Sequence, residues 1–509
     1  MTITIREVLL RSMCWLVFGL GAWHPSAMVL AAPLTAGVGK ADITDRDAKP
    51  VNDPLFAKAL VISDGTTTAV LITLDAVSIG EIGYIRNDYL GTVREGLWKE
   101  LKIKPEHVIV NASHCHGVVR KDVAELSVQA VKDAAKQLVP VKVGAGAGFE
   151  NRIQENRRLK LKDGRETDVR HAYSMPRDED VAAIGPIDPQ IGLLRLDRLN
   201  GQPLAAVYNF ACHPIQGVPS GGNTADIPAF ASQVIEENLG DGVMAFFVQG
   251  CGGDINPVTY KAVNLPRDAE PLGNMLGLSS LRGLRKIETK ADASLKVVQE
   301  ILELPRSADY ATRLAAMEIE RDALLKSLRG TSLNFKTFLP LYVQHKVNGE
   351  YPSYYSHRYL LDEKLGRDDM KRMDSENRAD MEAYLRNIET MERLTRLQTN
   401  MDLLQRHQAR TEKAATPTLP VEVVGLRIGD FQMVTFPGEL TVEIGLDIKK
   451  RATKPHTFVA GYTNGYIYYT PTAEQRRNPG YAQEDCDSLV APEWRALFDE
   501  RVDALLKKL

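Results

Sequence analysis

Cysteine is scarce in this sequence, with five in 509 residues. Cys14 lies in the N-terminal apolar segment, which leaves Cys115, Cys212, Cys251 and Cys486. Four cysteines in so long a chain exclude a disulfide-stabilised scaffold, and the lack of any Cys-x-x-Cys spacing excludes a zinc finger or ribbon. We therefore expect four small buried residues, with a Cys212–Cys251 disulfide as the alternative.

Net charge is also small, because 63 Lys and Arg residues nearly balance 66 Asp and Glu residues to give −3. Such a chain has no field that would concentrate nucleic acid, and no basic stripe is interleaved with aromatic residues. We expect no nucleic-acid partner.

Long hydrophobic runs are absent after the first thirty-odd residues, so we expect no transmembrane span in the mature chain. At the N-terminus, Arg6 and Arg11 flank the start of a short apolar segment, and small residues follow around Val29 and Ala31. This arrangement is typical of a secretory signal peptide, here residues 1–31. The mature protein would then be secreted or periplasmic; an uncleaved membrane anchor is the alternative.

Strand and helix patterns alternate along the rest of the chain. Residues 57–63 and 68–74 read as a hairpin around Asp64-Gly65, residues 79–102 as a helix, and residues 108–112 as a buried strand. The same succession recurs later, which predicts an α/β fold with a mixed α+β core: a central mixed sheet flanked by helices.

Residues 307–415 differ from this pattern, because long charged helices with Met and Leu stripes replace the strands. We interpret this region as a helical insertion that divides the catalytic domain into residues 32–306 and 416–509. The insertion either frames a cleft or forms a solvated helical hairpin.

The most informative stretch is residues 108–117, a β-branched run that ends in Ser-His-Cys-His-Gly. On extended chain, His114 and His116 would point the same way, because strand side chains repeat with a period of two. His213, Asp254 and Glu439 also follow apparent buried strands. In open α/β folds, ligand sites form at that edge of the sheet.

Imidazoles and carboxylates around an open position are what catalytic zinc requires, since the metal polarises a carbonyl and activates water. An alternative is a two-metal phosphoesterase that uses Asp75, Asp226 and Asp254 together with the histidines. The Gly-x-Gly-x-Gly at residues 144–148 is not followed by a dinucleotide-binding unit, so we expect no nucleotide site.

Five motifs together resemble the catalytic domain of the neutral/alkaline (non-lysosomal) ceramidase family in order and spacing, over residues 37–481. They are Ala-Ser-His-Cys-His-Gly at 112–117, Phe-Ala-Cys-His-Pro at 210–214, Gly-Asp-Ile-Asn-Pro at 253–257, Phe-Pro-Gly-Glu-Leu at 436–440 and Thr-Asn-Gly-Tyr-Ile-Tyr-Tyr-Thr-Pro-Thr at 463–472.

The resemblance implies one zinc ion per chain and a set of site residues. The implied zinc ligands are His114, His213, Glu439 and Tyr469. His116 would be the nearby acid or base, and Tyr481 and Arg157 would stabilise the developing oxyanion.

Two departures suggest a divergent bacterial-type member. The ceramidases carry a serine before the proline of the glycine loop, where this sequence has Asn256. Asparagine cannot accept an acyl group, but it can donate a hydrogen bond to an oxyanion, worth about 3 kcal/mol in a well-placed case. We also expect the family's C-terminal immunoglobulin-like domain to be absent.

These observations predict an exported zinc-dependent hydrolase that cleaves an amide or ester bond with metal-activated water. The expected substrate is a small or lipid-like acyl compound other than long-chain ceramide. A non-catalytic zinc-containing binding protein on the same fold is the main alternative, and the two-metal phosphoesterase the lesser one. Nothing in the sequence indicates an oligomeric state.

Overall fold

The structure is a computed structural model that describes residues 34–169, 175–258, 260, 262–291, 293–479 and 482–509. Strands in this part of the chain are β1 Thr35–Asp42, β2 Phe56–Ser63, β3 Thr68–Leu74, β4 Val108–Ala112, β5 Val139–Phe149, β6 Gln154–Asn156, β7 Arg158–Leu161, β8 Glu166–Asp168, β9 Val181–Ile184, β10 Gln190–Arg198, β11 Pro203–Phe210, β12 Met244–Gln249, β13 Ile255–Pro257, β14 Leu295–Pro305, β15 Thr418–Ile428, β16 Phe431–Thr435, β17 Glu439–Leu440, β18 Thr457–Ala460 and β19 Tyr469–Thr470.

Helices in the same part of the chain are α1 Tyr89–Leu101, α2 Val123–Ala135, α3 Ile227–Leu239, α4 Glu270–Leu284, α5 Tyr310–Ser327, α6 Phe335–Val347, α7 His357–Lys364, α8 Asp369–Glu412, α9 Val442–Arg451, α10 Ala473–Arg476, α11 Gln483–Cys486 and α12 Trp494–Lys508.

Two mixed sheets form the centre of the described molecule. Eight strands make the larger one, in the order β12-β11-β10-β5-β1-β2-β3-β4, and four make the smaller one, in the order β14-β15-β16-β18. The pairs β3·β4, β11·β12 and β16·β18 are parallel because a helix connects the two strands of each pair, whereas the hairpin-connected pairs are antiparallel.

The two sheets pack face to face, with helices on both outer surfaces. Along β2, Leu60 and Ile62 point into the core between the sheets, whereas Ala59 and Val61 pack against the core of α1 and α2. Helices α3 and α4 cover the other end of the larger sheet, and α9 and α12 cover the smaller one. The predicted mixed α/β class is confirmed, as four layers built around two sheets.

The edge strands of the larger sheet approach each other although they are farthest apart in strand order. The side-chain oxygen of Asn111 on β4 accepts a hydrogen bond from the backbone N–H of Gln249 on β12, at 2.9 Å. This curl brings the carboxyl ends of β4 and β11 to the same region, where they can contribute to one site.

The glycines at 144–148 have a packing role in this fold. A Cβ on Gly144 or Gly146 would collide with the Ile287–Glu288 segment that follows α4, and one on Gly148 would press on the carbonyl of Ser279. The alternation therefore lets α4 and the segment after it approach β5 closely, consistent with the absence of a dinucleotide-binding unit.

Helices α5 to α8 lie between β14 and β15, which are antiparallel neighbours with Pro305 opposite Thr418. The chain thus leaves the smaller sheet at Pro305 and returns beside its exit point. Helix α8 packs on α5 through Leu397, Met401 and Leu404.

The helix predicted at residues 79–102 is shorter than expected and begins at Tyr89. Gly80 and Gly83 adopt φ values of 87° and 74°, in the left-handed region, so the chain before Tyr89 forms turns. The apolar spacing of Ile82 and Ile85 came from residues that pack on the core from a loop.

Cys115, Cys212, Cys251 and Cys486 are buried with free thiols, so the prediction of four small core residues is confirmed and the alternative disulfide is wrong. Within the described ranges, no helix combines the length and apolar character needed to cross a bilayer. The signal peptide predicted at residues 1–31 lies outside the described residues.

Candidate metal centre

His114 lies two residues beyond β4 in a left-handed backbone conformation, with φ of 71°. The expected extended geometry of the His-x-His pair is therefore wrong. The turn buries the His114 ring and places its Nδ1 2.6 Å from the carbonyl oxygen of Val77. Because a carbonyl can only accept, Nδ1 carries the proton and the Nε2 lone pair is left for another partner.

The His213 ring, at the other end of the larger sheet, is also oriented by a backbone carbonyl that binds its Nδ1. His213 follows β11, its backbone N–H donates to the carbonyl of Ile255, and its Nδ1 lies 2.9 Å from that same oxygen. Its Nε2 consequently faces away from Ile255, toward Glu439. Backbone carbonyls bonded to the second ring nitrogen are the usual orienting partners of metal-binding histidines.

Glu439 is positioned by β17 and by two tyrosines. Its carboxylate accepts hydrogen bonds from the hydroxyl of Tyr462, at 3.1 Å, and from that of Tyr466. Gly253 packs directly on this strand, since a Cβ there would lie 2.6 Å from the carbonyl oxygen of Glu439. The glycine loop therefore lets backbone approach the strand that carries Glu439.

The three side chains form a compact, buried group. One donor atom each from His114, His213 and Glu439 lies within 4.8 Å of the others, and in the described part of the chain this is the group of His, Cys, Asp and Glu that could hold a metal. Nε2 of His114 is 3.6 Å and Nε2 of His213 is 3.1 Å from Glu439 oxygens. Two lone pairs facing a carboxylate repel unless a proton or cation lies between them, so this donor set fits a divalent metal such as zinc.

Electrostatics favour the neutral form of His114. Burial lowers the pKa of His114 to about 4, against the opposing effect of the Glu439 carboxylate. A neutral imidazole is the form that binds metal, so the site is ready for a cation at neutral pH.

Tyr469 and Arg157 lie beside this group. Tyr469 is on β19, directly opposite Glu439 in a parallel pair, and its hydroxyl accepts a hydrogen bond from Nη2 of Arg157 at 3.1 Å. Nε of Arg157 binds Glu484 at 2.7 Å, and Nη2 also donates to the carbonyl of Gly253 at 2.6 Å. Charges on Tyr469 and Glu484 outweigh burial and hold the pKa of Arg157 well above its ordinary value.

Asn256 lies beneath Arg157. It is buried on β13, and its Oδ1 accepts a hydrogen bond from Nη1 of Arg157 at 3.1 Å. Its Nδ2 is a buried donor with no partner in the described structure. Tyr481, the other residue predicted to stabilise an oxyanion, lies outside the described residues.

A cavity of about 680 Å³ opens onto the centre. His114, His213, Glu439, Tyr469 and Arg157 line its floor; Asn256 is not among the lining side chains. His116 lines the same cavity and is exposed there, with its ring centroid 5.5 Å from that of His114. The two histidines of the motif are thus divided between a buried position and a solvent-accessible one.

The insertion contributes a wall of this cavity. Thr399, Asp402, Leu403 and Arg406 of α8 line it. Helix α8 is joined to the rest of the chain by His407, whose Nε2 lies 2.7 Å from Asp487, and by Arg396, which donates to Asp168 at 2.9 Å. Of the two interpretations of the insertion, framing a cleft is the one observed.

The aspartates of the two-metal alternative do not form a second site. Asp254 accepts hydrogen bonds from the Val442 backbone N–H and the Asn156 amide, and Asp226 accepts from the backbone N–H groups of Gly217 and Ile227. Asp75 lines a different, smaller cavity. Their oxygens are used to hold loops and helix starts.

Sequence reasoning missed Tyr462, Tyr466 and Glu484. The two tyrosines belong to a tyrosine-rich segment that equally suggests core packing, and Glu484 has no motif around it. The backbone of Tyr462 is strained, because its φ of 53° lies in the left-handed region, as does the φ of His114.

No protein-family model matches the sequence, and no curated protein sequence matches it. Two solved structures have a similar fold over most of the chain. One is described as a ceramidase complexed with C2: it is 17% identical, has a TM-score of 0.59, and the match covers 93% of this chain and 75% of that one. The other is neutral ceramidase from Pseudomonas aeruginosa, 18% identical, with a TM-score of 0.57 and coverage of 94% and 75%. The chain therefore has a ceramidase-like fold, as the sequence motifs predicted.

Proposed function

We propose that this chain is an exported, zinc-dependent hydrolase that cleaves an amide or ester bond in a substrate other than long-chain ceramide. The observation that carries the proposal is the buried group of His114, His213 and Glu439 at the floor of an open cavity. The ceramidase-like fold adds support, because the two solved structures that share it are named as ceramidases.

In this proposal Nε2 of His114, Nε2 of His213, a Glu439 oxygen and the Tyr469 hydroxyl hold the metal. A bound zinc ion would polarise the scissile carbonyl and lower the pKa of the attacking water. Tyr462 and Tyr466 hold the Glu439 carboxylate in one orientation, and the carbonyls of Val77 and Ile255 do the same for the two imidazoles.

His116 is proposed to move the proton. Its exposed ring lies in the cavity beside the buried His114, where it can take a proton from the attacking water and deliver one to the leaving group. Arg157 faces the same space with a permanent positive charge and is proposed to stabilise the negative charge that develops on oxygen.

Asn256 and Tyr481 complete the proposed oxyanion-stabilising set. Asn256 holds Nη1 of Arg157 through its Oδ1, so in the described arrangement it acts on the oxyanion through Arg157. Its unpartnered Nδ2 is a further donor that a substrate-induced rearrangement could use. The role of Tyr481 is a proposal that derives from the resemblance to the ceramidase family, whose spacing of twelve residues after Tyr469 this sequence matches.

The test is the metal content and hydrolytic activity of the purified protein and two matched histidine variants. We expect about one zinc per chain, loss of both zinc and hydrolysis in His213→Ala, and loss of rate with zinc retained in His116→Ala, by about 10²-fold or more. Circular dichroism of each variant controls for folding. An active protein without metal would refute the proposal, and a zinc-loaded protein inactive on acyl-amide, ester and phosphoester panels would favour a binding protein.

A further inference from the structure

Charged and imidazole side chains make up much of the lining of the cavity above the metal centre. Its aliphatic members are few, namely Ile82, Pro214, Ile215, Val218 and Leu403, and charged or imidazole side chains outnumber them. A site for a long hydrocarbon chain would present continuous apolar surface. This cavity offers charges instead, which makes the sign of those charges informative about the substrate.

Three cationic side chains converge on the cavity from unconnected parts of the chain. Lys49 comes from the loop between β1 and β2, Arg267 from the loop before α4, and Arg406 from α8 of the insertion. Because the three residues belong to three different segments, the cluster is not the result of one lysine- or arginine-rich helix or loop.

These cations have no anionic partner among the described residues. None of the three forms an ion pair or donates a hydrogen bond in this part of the chain. The Arg267 guanidinium lies over the Tyr260 ring, 5.2 Å from its centroid. Arg406 stands one turn from Asp402, the spacing that favours a helical salt bridge, yet the two do not pair.

The carboxylates of the same wall are all engaged by donors of the protein. Asp402 accepts from the Gln398 amide at 2.7 Å, Asp487 is bound by His407, and Asp226 is held by backbone N–H groups. Arg157, the cation on the floor, forms an ion pair with Glu484. Among the described residues that line the cavity, Lys49, Arg267 and Arg406 are thus the charged side chains that have no hydrogen-bond or ion-pair partner.

We propose that the substrate of this site carries an anionic group, a carboxylate or a phosphate, which Lys49, Arg267 and Arg406 bind while the acyl-amide bond lies at the metal centre. This inference rests on the proposed function for the bond that is cleaved, but the anion binding itself does not depend on turnover. Guanidinium groups suit both oxyanions, so the shared chemistry is an oxygen anion that accepts several hydrogen bonds.

The experiment uses three matched amides that differ only at one end: N-octanoylethanolamine, which is neutral, N-octanoylglycine, which ends in a carboxylate, and the phosphate ester of N-octanoylethanolamine. Calorimetric binding to the metal-depleted full chain and kcat/KM of the zinc-loaded chain are measured for each. The chain should bind one or both anionic amides about tenfold or more tightly than the neutral one. The stronger of the two anions identifies the group.

The variants are Lys49→Gln, Arg267→Gln and Arg406→Gln, singly and together, and the control is Arg386→Gln, an exposed arginine of the same helix α8 that does not line the cavity. The triple variant should lose the preference for the anion by about tenfold or more, with neutral-amide affinity unchanged, and the control should keep it. Higher salt should weaken only the anionic ligands.

The inference is overturned if the neutral amide binds as tightly as both anionic ones, if no amide binds, or if the triple variant retains the preference. Anionic amides that bind but are not hydrolysed, together with inactivity on the matching esters, would refute the proposed function and leave the anion site standing. Hydrolysis of the neutral amide alone would do the opposite.

Discussion

The buried carboxyl of Asp75 should make the stability of this fold depend on pH. It follows β3, and burial in a cavity of about 210 Å³ raises its pKa to about 7, although Lys58 lowers it in part. Lys58 cannot neutralise the carboxyl fully, because its ammonium group is bonded to Glu236 at 2.8 Å and to the carbonyl of Ala245 at 3.0 Å. The folded protein therefore holds a proton on Asp75 that the unfolded chain would release near its ordinary pKa of 3.8.

Ionisation of Asp75 should lower the free energy of unfolding as pH rises. A group whose pKa is raised in the folded state contributes stability below its unfolded pKa and loses it as pH rises through the folded value. Asp75→Asn removes this loss and keeps a side-chain acceptor for the Phe56 N–H. Relative to the wild type, the variant should gain about 1 kcal/mol or more between pH 5.5 and pH 8, measured by urea unfolding.

The control for this comparison is Asp241→Asn, which removes an exposed carboxyl. Its difference from the wild type should stay the same at both pH values. A gain for Asp75→Asn that does not grow with pH would contradict the assignment of the raised pKa to this residue.

At the scale of elements, strand β1 and helix α2 are in direct backbone contact. A Cβ on Gly37 or Gly39 would overlap a carbonyl oxygen of α2, at Ala134 and Ala130 respectively. Small residues here let the helix lie close to the larger sheet, on which the ends of β3 and β4 depend for their position. Backbone atoms of a helix cannot move aside as a flexible side chain would.

Gly39→Ala should therefore destabilise the protein by about 2 kcal/mol, because β1 and α2 must separate to admit one methyl group. The matched change is Gly91→Ala in α1, where a Cβ meets nothing within 4 Å and alanine is the better helix former. That variant should gain about 0.5–1 kcal/mol. Urea unfolding of both variants at one pH tests the pair, and equal effects would refute the packing argument.

At the scale of the whole molecule, the proposed metal centre joins parts of the chain that are far apart in sequence. His114 follows β4 and His213 follows β11 of the larger sheet, whereas Glu439 follows the smaller sheet. The three side chains come together only in the folded chain, so an ion that binds all of them binds only the folded state. Its binding free energy therefore adds to the free energy of unfolding.

Chelation should consequently lower the melting temperature by several degrees, since a ligand at 100 times its Kd contributes about 2.7 kcal/mol. The measurement is a thermal unfolding scan of the purified protein before and after dialysis against a chelator, followed by zinc addition. His213→Ala should melt at the same temperature in all three states. An unchanged melting temperature for the wild type would mean that no ion stabilises the fold.

Much of the site could be anticipated without coordinates. The alternation of strands and helices determined the α/β class, because the period of apolar residues reflects the backbone geometry of each element. Five short motifs indicated the ceramidase-like fold, and histidines at strand ends indicated the edge where a site forms. What local pattern could not indicate was the start of α1 at Tyr89, since glycine turns and core packing produce the same spacing as a helix.

The tertiary structure decided which of the candidate residues meet. Residues 114, 213 and 439 converge because the larger sheet curls and the smaller sheet packs on its face, and neither long-range contact has a signature in local sequence. Tyr462 and Tyr466 join Glu439, α8 becomes a cavity wall, and Lys49, Arg267 and Arg406 share one space for the same reason. Periodicity and motif spacing are properties of neighbours along the chain, whereas a site is a property of neighbours in space.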